Sequence, residues 1–281
     1  MRSTAIALAL ALALPLAAPA SEPMSRELKL PLAHAPFEKG DIEEAIKAYA
    51  QSFAALVKQT QGVEIAARAK LDKDRQVRFL DTPGSCALRA GNFILREREA
   101  RRDYRLTLKT RSDDEAWVRA TRIDAPDAKA KLEEDVVPPA NGKLSRSATL
   151  RLVPRQAPAT LAEAAALFPA LKGIAAKDEK LAVVGNLKPR EIVYELPTWK
   201  TAGTEFEPDL TVWRDEKDGR LLFVEAAFGY EVPKDPAQAQ EAKAKAEALF
   251  KAMQADAAWV GPKGQSKTDF IYEGSGGKFC R

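Results

Sequence analysis

The sequence predicts an α+β fold in which a closed antiparallel β-barrel is flanked by helices. Three observations lead to this class. Most of the chain consists of short segments that alternate apolar and polar side chains with the two-residue period of a β-strand. Other segments repeat apolar residues with the helical period, and no low-complexity linker separates these elements. About ten strands are enough to close a barrel, which leaves no strand edge unpaired.

Three segments are predicted as helices. The first covers residues 41–59 and begins near Gly40 and Asp41. Its apolar side chains recur every three or four residues on one face, at Ile42, Ile46, Tyr49, Phe53 and Leu56. A second helix fits "TLAEAAALFPALKG", which Thr160 can cap, and a third begins at Asp235 with Pro236 in its first turn.

The other regular segments are predicted as strands separated by turn signals, of which Asp218 followed by Gly219 is the strongest. These strands are residues 26–31, 75–81, 92–99, 104–111, 115–122, 130–137, 148–153, 191–196, 208–214, 220–228 and 267–272. A meander of such strands can turn its apolar face toward the helices.

Two neighbouring predicted strands, in "LREREARRDYRLTLKTRS", carry many cations. Because strand side chains alternate between two faces, each strand is apolar on one face and cationic on the other. The cations that share a face are Arg96 and Arg98 on the first strand, and Arg105, Lys109 and Arg111 on the second. Lys29, Arg78 and Arg151 likewise stand between apolar neighbours.

A cationic face of this kind has two structural outcomes. An open sheet would leave the charges solvated, whereas a closed barrel would turn them into a lumen. Crowded cations in a lumen repel one another, so the second outcome requires an anionic ligand or interleaved carboxylates. The alternation alone permits either outcome.

Carboxylates occur with matching alternation. Glu27 shares a face with Lys29, Glu133 and Asp135 share a face, and Glu225 stands among apolar residues. Hard oxygen ligands suit Mg²⁺ or Mn²⁺, and these ions bridge phosphate oxygens. Cations and carboxylates together therefore predict a site for phosphate groups and a divalent metal.

The N-terminus predicts export. Arg2, a following apolar run and "APA" before Ser21 have the order of a secretory signal peptide, predicted here as residues 1–20. Residues 21–281 are then a single domain with a short flexible C-terminal tail, located in the periplasm or secreted. No later segment approaches the roughly 20 apolar residues of a membrane-spanning helix.

Composition and rare residues narrow the function. The net charge of +4, from 44 bases and 40 acids, gives no indication of nucleic-acid binding. His34 is the only histidine, which argues against a histidine-activated nucleophile. "GPKGQSKT" resembles a phosphate-binding P-loop, but Ser266 replaces the required glycine and a predicted strand follows where that motif needs a helix.

Cys86 and Cys280 are the only cysteines. In an oxidising compartment they can form a disulfide, and the alternative is two unrelated thiols, since Cys280 lies in the glycine-rich tail. The sequence does not choose between these alternatives, and it gives no oligomeric state.

The ordered segments "ELKL", a helix, "VRFLDTP", "FILRERE", "RLTLKTR", "KLEEDV", "DLTVWRDEKDGRLLFVEAAF", a late helix and "SKTDFIY" resemble the CYTH superfamily, the triphosphate tunnel metalloenzymes. The resemblance spans roughly residues 25–273. It implies a closed tunnel that binds triphosphate or related anions, and known activities of the family include inorganic triphosphatase, thiamine triphosphatase and adenylate cyclase. A competing alignment would use "EIAARAK", with Glu64 and Lys70, as the first strand.

The resemblance also implies roles for individual residues. It implies phosphate contacts from Lys29, Arg96, Arg98, Lys109, Arg111 and Lys267. Three further cations of predicted strands, Arg78, Arg151 and Arg214, are also candidate substrate-binding residues. The candidate ligands for Mg²⁺ or Mn²⁺ are Glu27, Glu133, Asp135 and Glu225, and the candidate catalytic residues are Glu27, Lys29 and Glu133.

This chain departs from the family pattern at two positions. Ser25 stands where the family has a first-strand glutamate, and Ala227 follows Glu225 where a second late glutamate is expected. Two functions therefore remain: metal-dependent hydrolysis of tripolyphosphate or a related phosphate-rich anion, or binding of polyphosphate by a module whose metal site is degenerate.

Overall fold

A computed structural model of the chain describes residues 25–38, 41–101, 103–153, 156–174, 179–261, 266–274 and 278–280. The predicted signal peptide, residues 1–20, lies outside the described residues. Within the described ranges, no helix combines the length and the apolar character that crossing a membrane requires.

The strands form a closed barrel. They are β1 (Ser25–Pro31), β2 (Lys70–Asp81), β3 (Phe93–Ala100), β4 (Asp103–Arg111), β5 (Lys131–Val137), β6 (Asn141–Arg151), β7 (Ala182–Val183), β8 (Pro189–Glu195), β9 (Trp199–Thr201), β10 (Thr204–Asp215) and β11 (Leu221–Glu231). Neighbours around the barrel follow the order β1-β5-β6-β4-β3-β2-β8-β10-β11, and β11 pairs again with β1. The predicted barrel is therefore confirmed. One pairing departs from the antiparallel pattern, because β1 and β5 run parallel.

Helices flank the barrel. They are α1 (Ala35–Glu38), α2 (Ile42–Gln61), α3 (Ala87–Ala90), α4 (Glu115–Ala120), α5 (Leu161–Leu167), α6 (Pro236–Ala255) and α7 (Lys267–Gly274). The long helix α2 begins where the sequence predicts, since the side chain of Asp41 accepts a hydrogen bond from the backbone N–H of Glu43. It ends at Gly62, whose φ of 72° is a left-handed conformation that glycine adopts without strain.

Two apolar clusters lie on the outside of the barrel. One packs α2 and α6 against the outer faces of β1, β10 and β11, with Phe53 and Phe250 against Leu28 and Phe228. The other packs α5 and the short 3-10 helix that follows it against β3, β4 and β6. Because the apolar side chains of these strands point outward to the helices, the alternate side chains point into the lumen.

A third apolar cluster occupies one end of the barrel interior. Val77, Phe79, Trp213 and Phe223 come from β2, β10 and β11, and all four are buried. Helix α7 packs against them through Ile271 and Tyr272. We call these four barrel side chains the aromatic end.

The predicted strand at residues 115–122 is wrong, because this segment forms α4. The side chain of Asp114 accepts a hydrogen bond from Trp117 N at 3.0 Å and caps the helix. Val118 is then buried against Leu132 and Leu144. In so short a segment the apolar pattern fits either period, and packing against the barrel decides between them.

The predicted strand at residues 267–272 is also wrong, because this segment forms α7. Ser266 Oγ accepts a hydrogen bond from Asp269 N at 3.1 Å. The adjacent residues Ile271 and Tyr272 are both buried, which a strand with alternating faces would not achieve. A helix thus follows "GPKGQSKT", so one argument against a P-loop fails, whereas the replacement of glycine by Ser266 stands.

Strand boundaries also decide between the two alignments of the first strand. "ELKL" lies in β1 and pairs with both β5 and β11, while residues 63–69 precede β2 outside any strand. β6 begins at Asn141, seven residues before the predicted start at residue 148. The earlier part of β6 supplies the neighbour that β5 needs to join the barrel.

Candidate functional site

Charged side chains from nine different elements point into the barrel. Most of the residues that the sequence predicts for the site are among them, and on β1, β3 and β4 they alternate with outward-facing apolar residues. The inward-facing charges are Glu27, Lys29, Arg75, Arg96, Arg98, Lys109, Arg111, Glu133, Asp135, Glu191, Asp209, Glu225 and Lys267. The lumen is therefore not uniformly cationic, because carboxylates stand between the cations.

Three carboxylates converge in the lumen. One oxygen from each of Glu27, Glu133 and Asp135 lies within 4.8 Å of the others. The parallel pairing of β1 with β5 produces this group, because Glu27 stands directly beside Asp135 and Ser25 beside Glu133. We call Glu27, Glu133 and Asp135 the carboxylate triad.

Two lysines bind the carboxylate triad. Lys29 Nζ lies 2.7 Å from Glu27 Oε2 and also contacts Asp135. Lys109 Nζ lies 2.7 Å from Asp135 Oδ2 and 3.5 Å from Glu133 Oε1. Asp135 is therefore shared by both ammonium groups, and it is 1% exposed.

The pKa values of the three triad carboxyl groups differ because the two lysines contact them unequally. Burial acts to raise the pKa of Asp135, but Lys109 and Lys29 outweigh burial and hold the pKa well below its usual value. Burial dominates at Glu133 and raises its pKa. The pKa of Glu27 is lowered, because Lys29 overcomes the effect of burial. Glu133 is thus the triad member that accepts a proton most readily.

A second group of charges lies beside the aromatic end. Glu191, which is 2% exposed, accepts hydrogen bonds from Arg75 Nε at 2.6 Å and from Trp213 Nε1 at 3.0 Å. Arg98 Nε lies 3.3 Å from the same carboxylate. Arg96 is close enough to lower the pKa of Arg98. We call Arg75, Arg96 and Arg98 the arginine cluster.

The arginine cluster holds more positive charge than its partner neutralises. Burial and the neighbouring Arg96 lower the pKa of Arg98 to about 9. Burial acts to raise the pKa of Glu191, but Arg98 and Arg75 lower it overall. Within the described residues, the buried Nε of Arg96 has no hydrogen-bond partner. Three guanidinium groups against one carboxylate leave an excess that an anionic group would neutralise.

Lys267 enters the lumen from α7. Its Nζ lies 2.7 Å from Glu225 Oε1 and 5.7 Å from the centre of the Trp213 ring. Glu225 therefore pairs with a lysine and is not part of the carboxylate triad. The structure thus places Arg98, Lys109 and Lys267 in one lumen, as the sequence predicts.

Three of the predicted binding residues lie away from the lumen. Arg78 is on the outer face of β2, where it donates to Glu99 at 3.2 Å, because its neighbours Val77 and Phe79 turn inward to the aromatic end. Arg151 is 67% exposed at the end of β6 and lies 2.9 Å from Asp103. Arg214 donates to the backbone oxygen of Gly219 at 2.8 Å within the β10–β11 hairpin.

An open cavity of about 820 Å³ leads to the carboxylate triad from the end of the barrel where β1 begins. Its lining includes Glu27 and Glu133 but not the deeper Lys29. Nine acidic residues line it against four basic ones. The acidic residues are Glu27, Asp72, Glu133, Glu195, Glu205, Glu207, Asp209, Glu231 and Asp235. The mouth of the lumen is therefore acidic, a feature that the sequence reading did not anticipate.

The chain is similar in structure to three solved proteins. A proposed adenylyl cyclase from Hippeastrum, described as having a dominant triphosphatase activity, shares 15% identity over 88% of this chain and 95% of that chain, with a TM-score of 0.41. A proposed adenylate cyclase from Bacillus halodurans shares 14% identity over 89% and 97% of the two chains, with a TM-score of 0.40. One from Vibrio parahaemolyticus shares 13% identity over 87% and 97%, with a TM-score of 0.36.

The similarity is one of fold. No protein-family model and no curated protein sequence matches the chain.

The carboxylate triad fits a divalent metal by the chemistry of its donors. Mg²⁺ and Mn²⁺ take oxygen ligands, and three carboxylates converge here from two adjacent strands. Lys29 and Lys109 now neutralise these oxygens. An ion held by Glu27, Glu133 and Asp135 would therefore take over part of the role of the two ammonium groups.

Asp209 is the acid opposite Ala227, the position where the sequence comparison led us to expect a second late glutamate. It lies directly across from Ala227 on the neighbouring strand and faces the lumen. Burial, followed by the charge of Glu27, raises its pKa to about 6. Thr211 Oγ1 donates a hydrogen bond to it at 3.1 Å.

Sequence reasoning missed Arg75, Glu191 and Asp209. A signal existed for Asp209, since Asp209, Thr211 and Trp213 alternate with apolar Leu210 and Val212 in a predicted strand. No local signal distinguishes Glu191 from any other charged strand residue. Its role depends on Arg75 and Arg98, which lie on strands far away in sequence.

Proposed function

We propose that this chain is an exported phosphohydrolase that binds tripolyphosphate, or a related short phosphate chain, in the barrel lumen and hydrolyses it with a divalent metal. The observation that carries the proposal is that the carboxylate triad and the arginine cluster share one lumen. The first group suits a metal and the second suits phosphoryl oxygens. Export is supported by the N-terminal sequence pattern and by the Cys86–Cys280 disulfide, since disulfides persist in oxidising compartments.

The cations of the lumen would bind and neutralise the phosphate chain. Arg96 and Arg98 can each donate from a planar guanidinium to phosphoryl oxygens, and Arg96 has an unpaired buried donor within the described residues. Lys29 and Lys109 face the same lumen and pair with the triad. When a ligand enters, the two ammonium groups would move from the carboxylate oxygens toward the phosphate oxygens. Each ammonium group would then have a negatively charged partner both before and after binding.

The carboxylates would bind the metal ion and accept a proton during the reaction. A divalent ion bound by the triad would polarise phosphoryl oxygens and lower the pKa of a bound water. Through a carboxylate oxygen that does not hold the ion, Glu133 would accept the proton of the attacking water. Water then adds to the terminal phosphorus, the anhydride P–O bond breaks, and the shortened phosphate leaves with the electron pair of that bond.

The acidic mouth of the lumen favours a phosphate ligand that arrives as a metal complex. Its nine carboxylates would repel a bare polyanion but attract divalent cations and their phosphate complexes. A metal-complexed ligand therefore enters more readily than the free anion.

A second candidate function is binding without hydrolysis. Ser25 and Ala227 remove two carboxylates from the expected metal site, and Lys29 and Lys109 pair with the triad. A chain with this arrangement could bind a phosphate-rich anion and leave it intact.

The deciding experiment incubates residues 21–281 with tripolyphosphate and Mg²⁺ or Mn²⁺ and follows phosphate release with and without a chelator. Release that requires the metal and is lost in Glu27→Gln supports the hydrolase. Salt-sensitive binding without release, weakened in Arg96→Ala, supports the binding module. Arg78→Ala is the matched control, because Arg78 lies on the adjacent strand but faces outward. If the protein neither binds nor cleaves tripolyphosphate, both proposals are wrong.

A further inference from the structure

The C-terminal segment is joined covalently to the barrel. Cys86, just before α3, forms a disulfide with Cys280, and their Cα atoms are 5.3 Å apart. Beside it, Gly84 N donates to the backbone oxygen of Phe279 at 2.7 Å. The linked cysteines are 194 residues apart in sequence, so the disulfide ties the end of the chain to the connection between β2 and β3.

The end of β2 and helix α3 also contact α7. Tyr272 donates from its hydroxyl to Asp81 Oδ2 at 2.7 Å, and Asp81 is fully buried. The guanidinium of Arg89 lies 4.4 Å from the centre of the Tyr272 ring, and it is 3.3 Å from Asp269. The disulfide, the hydrogen bond and the stacking therefore all connect the C-terminal part of the chain to the short stretch from Asp81 to Arg89.

Lys267 is the first residue of α7, and its side chain enters the lumen, where it pairs with Glu225. Glu225 is 6% exposed, so loss of Lys267 would leave a buried carboxylate beside the phosphate-binding region. α7 has eight residues, and an isolated helix of that length is not stable in water. The position of Lys267 therefore depends on what anchors α7 to the barrel.

We infer that the Cys86–Cys280 disulfide is a positioning element of the lumen: it anchors α7 so that Lys267 lies against Glu225, and anion affinity depends on the oxidation state of the pair. The part of this inference that concerns affinity rests on the proposed function. The anchoring of α7 does not. An added dithiol reduces the Cys86–Cys280 disulfide by transferring two electrons and two protons to it. The protein then carries two thiols, and the reagent is oxidised to its own disulfide.

A disulfide that merely stabilises the fold would behave differently. The barrel is closed by its own hydrogen-bonded strands, so breaking the disulfide leaves β1 and β11 paired. A general loss of stability would affect strands and α7 together. A positioning role would affect α7 and, through Lys267, the ligand.

The experiment compares the oxidised chain with Cys86→Ser/Cys280→Ser, with Lys267→Met, and with the triple variant. Amide hydrogen exchange over residues 267–274 reports on α7 without any ligand, and residues 93–100 in β3 serve as the internal control. Calorimetry measures the affinity for tripolyphosphate. Should the cysteine variant fold poorly, the folded wild type is reduced with a dithiol and its thiols are alkylated.

We expect faster exchange in α7 but not in β3 when the disulfide is absent. Tripolyphosphate should bind about tenfold more weakly to the cysteine variant and to Lys267→Met, as expected for one lost charged contact. The triple variant should lose nothing further, because both changes remove the same lysine from the lumen. Unchanged exchange in α7, or losses that multiply in the triple variant, would overturn the inference. If no form binds tripolyphosphate, the proposed function fails, and the exchange comparison still decides whether the disulfide anchors α7.

Discussion

Glu27 on β1 and Asp135 on β5 stand side by side on parallel strands, and both carboxylates face the lumen. Lys29 binds both of them, and Lys109 binds the other carboxylate oxygen of Asp135. Asp135 is therefore the common partner of two largely buried cations. Its ionised form is stabilised more than that of either neighbouring glutamate.

We predict that Asp135→Asn destabilises the protein by about 3 kcal/mol, because removing one member of a buried ion pair leaves the others uncompensated. Urea unfolding at pH 7 measures this loss. Asp113→Asn is the control, since Asp113 is 83% exposed and water screens its pair with Lys143, so this pair should contribute little to stability. Equal, small losses in both variants would contradict the interpretation of Asp135 as a shared partner.

We predict that Arg96→Ala weakens tripolyphosphate binding by between about 10- and 100-fold, the range expected for lost hydrogen bonds to a charged group. Arg78→Ala should change the affinity less than about twofold, since its guanidinium lies on the outer face. Titration calorimetry at two salt concentrations compares the variants. Similar losses in both variants would show that the ligand binds outside the barrel.

We predict that Asp209→Asn is more stable than the wild type at pH 7, by about 1–2 kcal/mol after allowance for solvent screening. The folded pKa of Asp209 is raised to about 6, mainly by burial, above its usual 3.8. A raised carboxyl pKa means that the folded state binds the proton more tightly than the unfolded state. The contribution of Asp209 to stability is therefore present below pH 3.8 and is lost as pH rises through 6.

Urea unfolding of both proteins between pH 3.5 and 7.5 measures this effect. The stability difference between variant and wild type should be near zero at the acidic limit and should grow up to about pH 6. A difference that is constant over the whole range would show that packing, and not titration, is responsible.

We predict that Glu191→Gln destabilises the protein by about 3 kcal/mol, because Arg75, Arg96 and Arg98 would then face one another without a buried counter-charge. Glu195→Gln is the control, since Glu195 lies four residues further along the same strand and is exposed at the cavity mouth. Thermal unfolding at pH 7 compares the two variants. A Glu191→Gln protein as stable as Glu195→Gln would mean that the guanidinium groups find other partners.

Alternation in the sequence predicted much of the site because it is a local property of the backbone. Arg96 and Arg98 share a face opposite Leu95 whichever strands surround them. The same is true of Glu133 and Asp135. Which of the two faces turns inward is not local, and Arg78 illustrates the difference. Its apolar neighbours Val77 and Phe79 belong to the aromatic end inside the barrel, so Arg78 itself turns outward.

The sequence by itself determined the barrel class, the long helices, and the sets of side chains that share a face, because propensity and period act over a few residues. Only the tertiary structure decided that β1 runs parallel to β5, that residues 267–274 form a helix, and that Cys86 meets Cys280. Each of these depends on contacts between segments distant in the chain. Packing of buried side chains outweighs local preference at such positions.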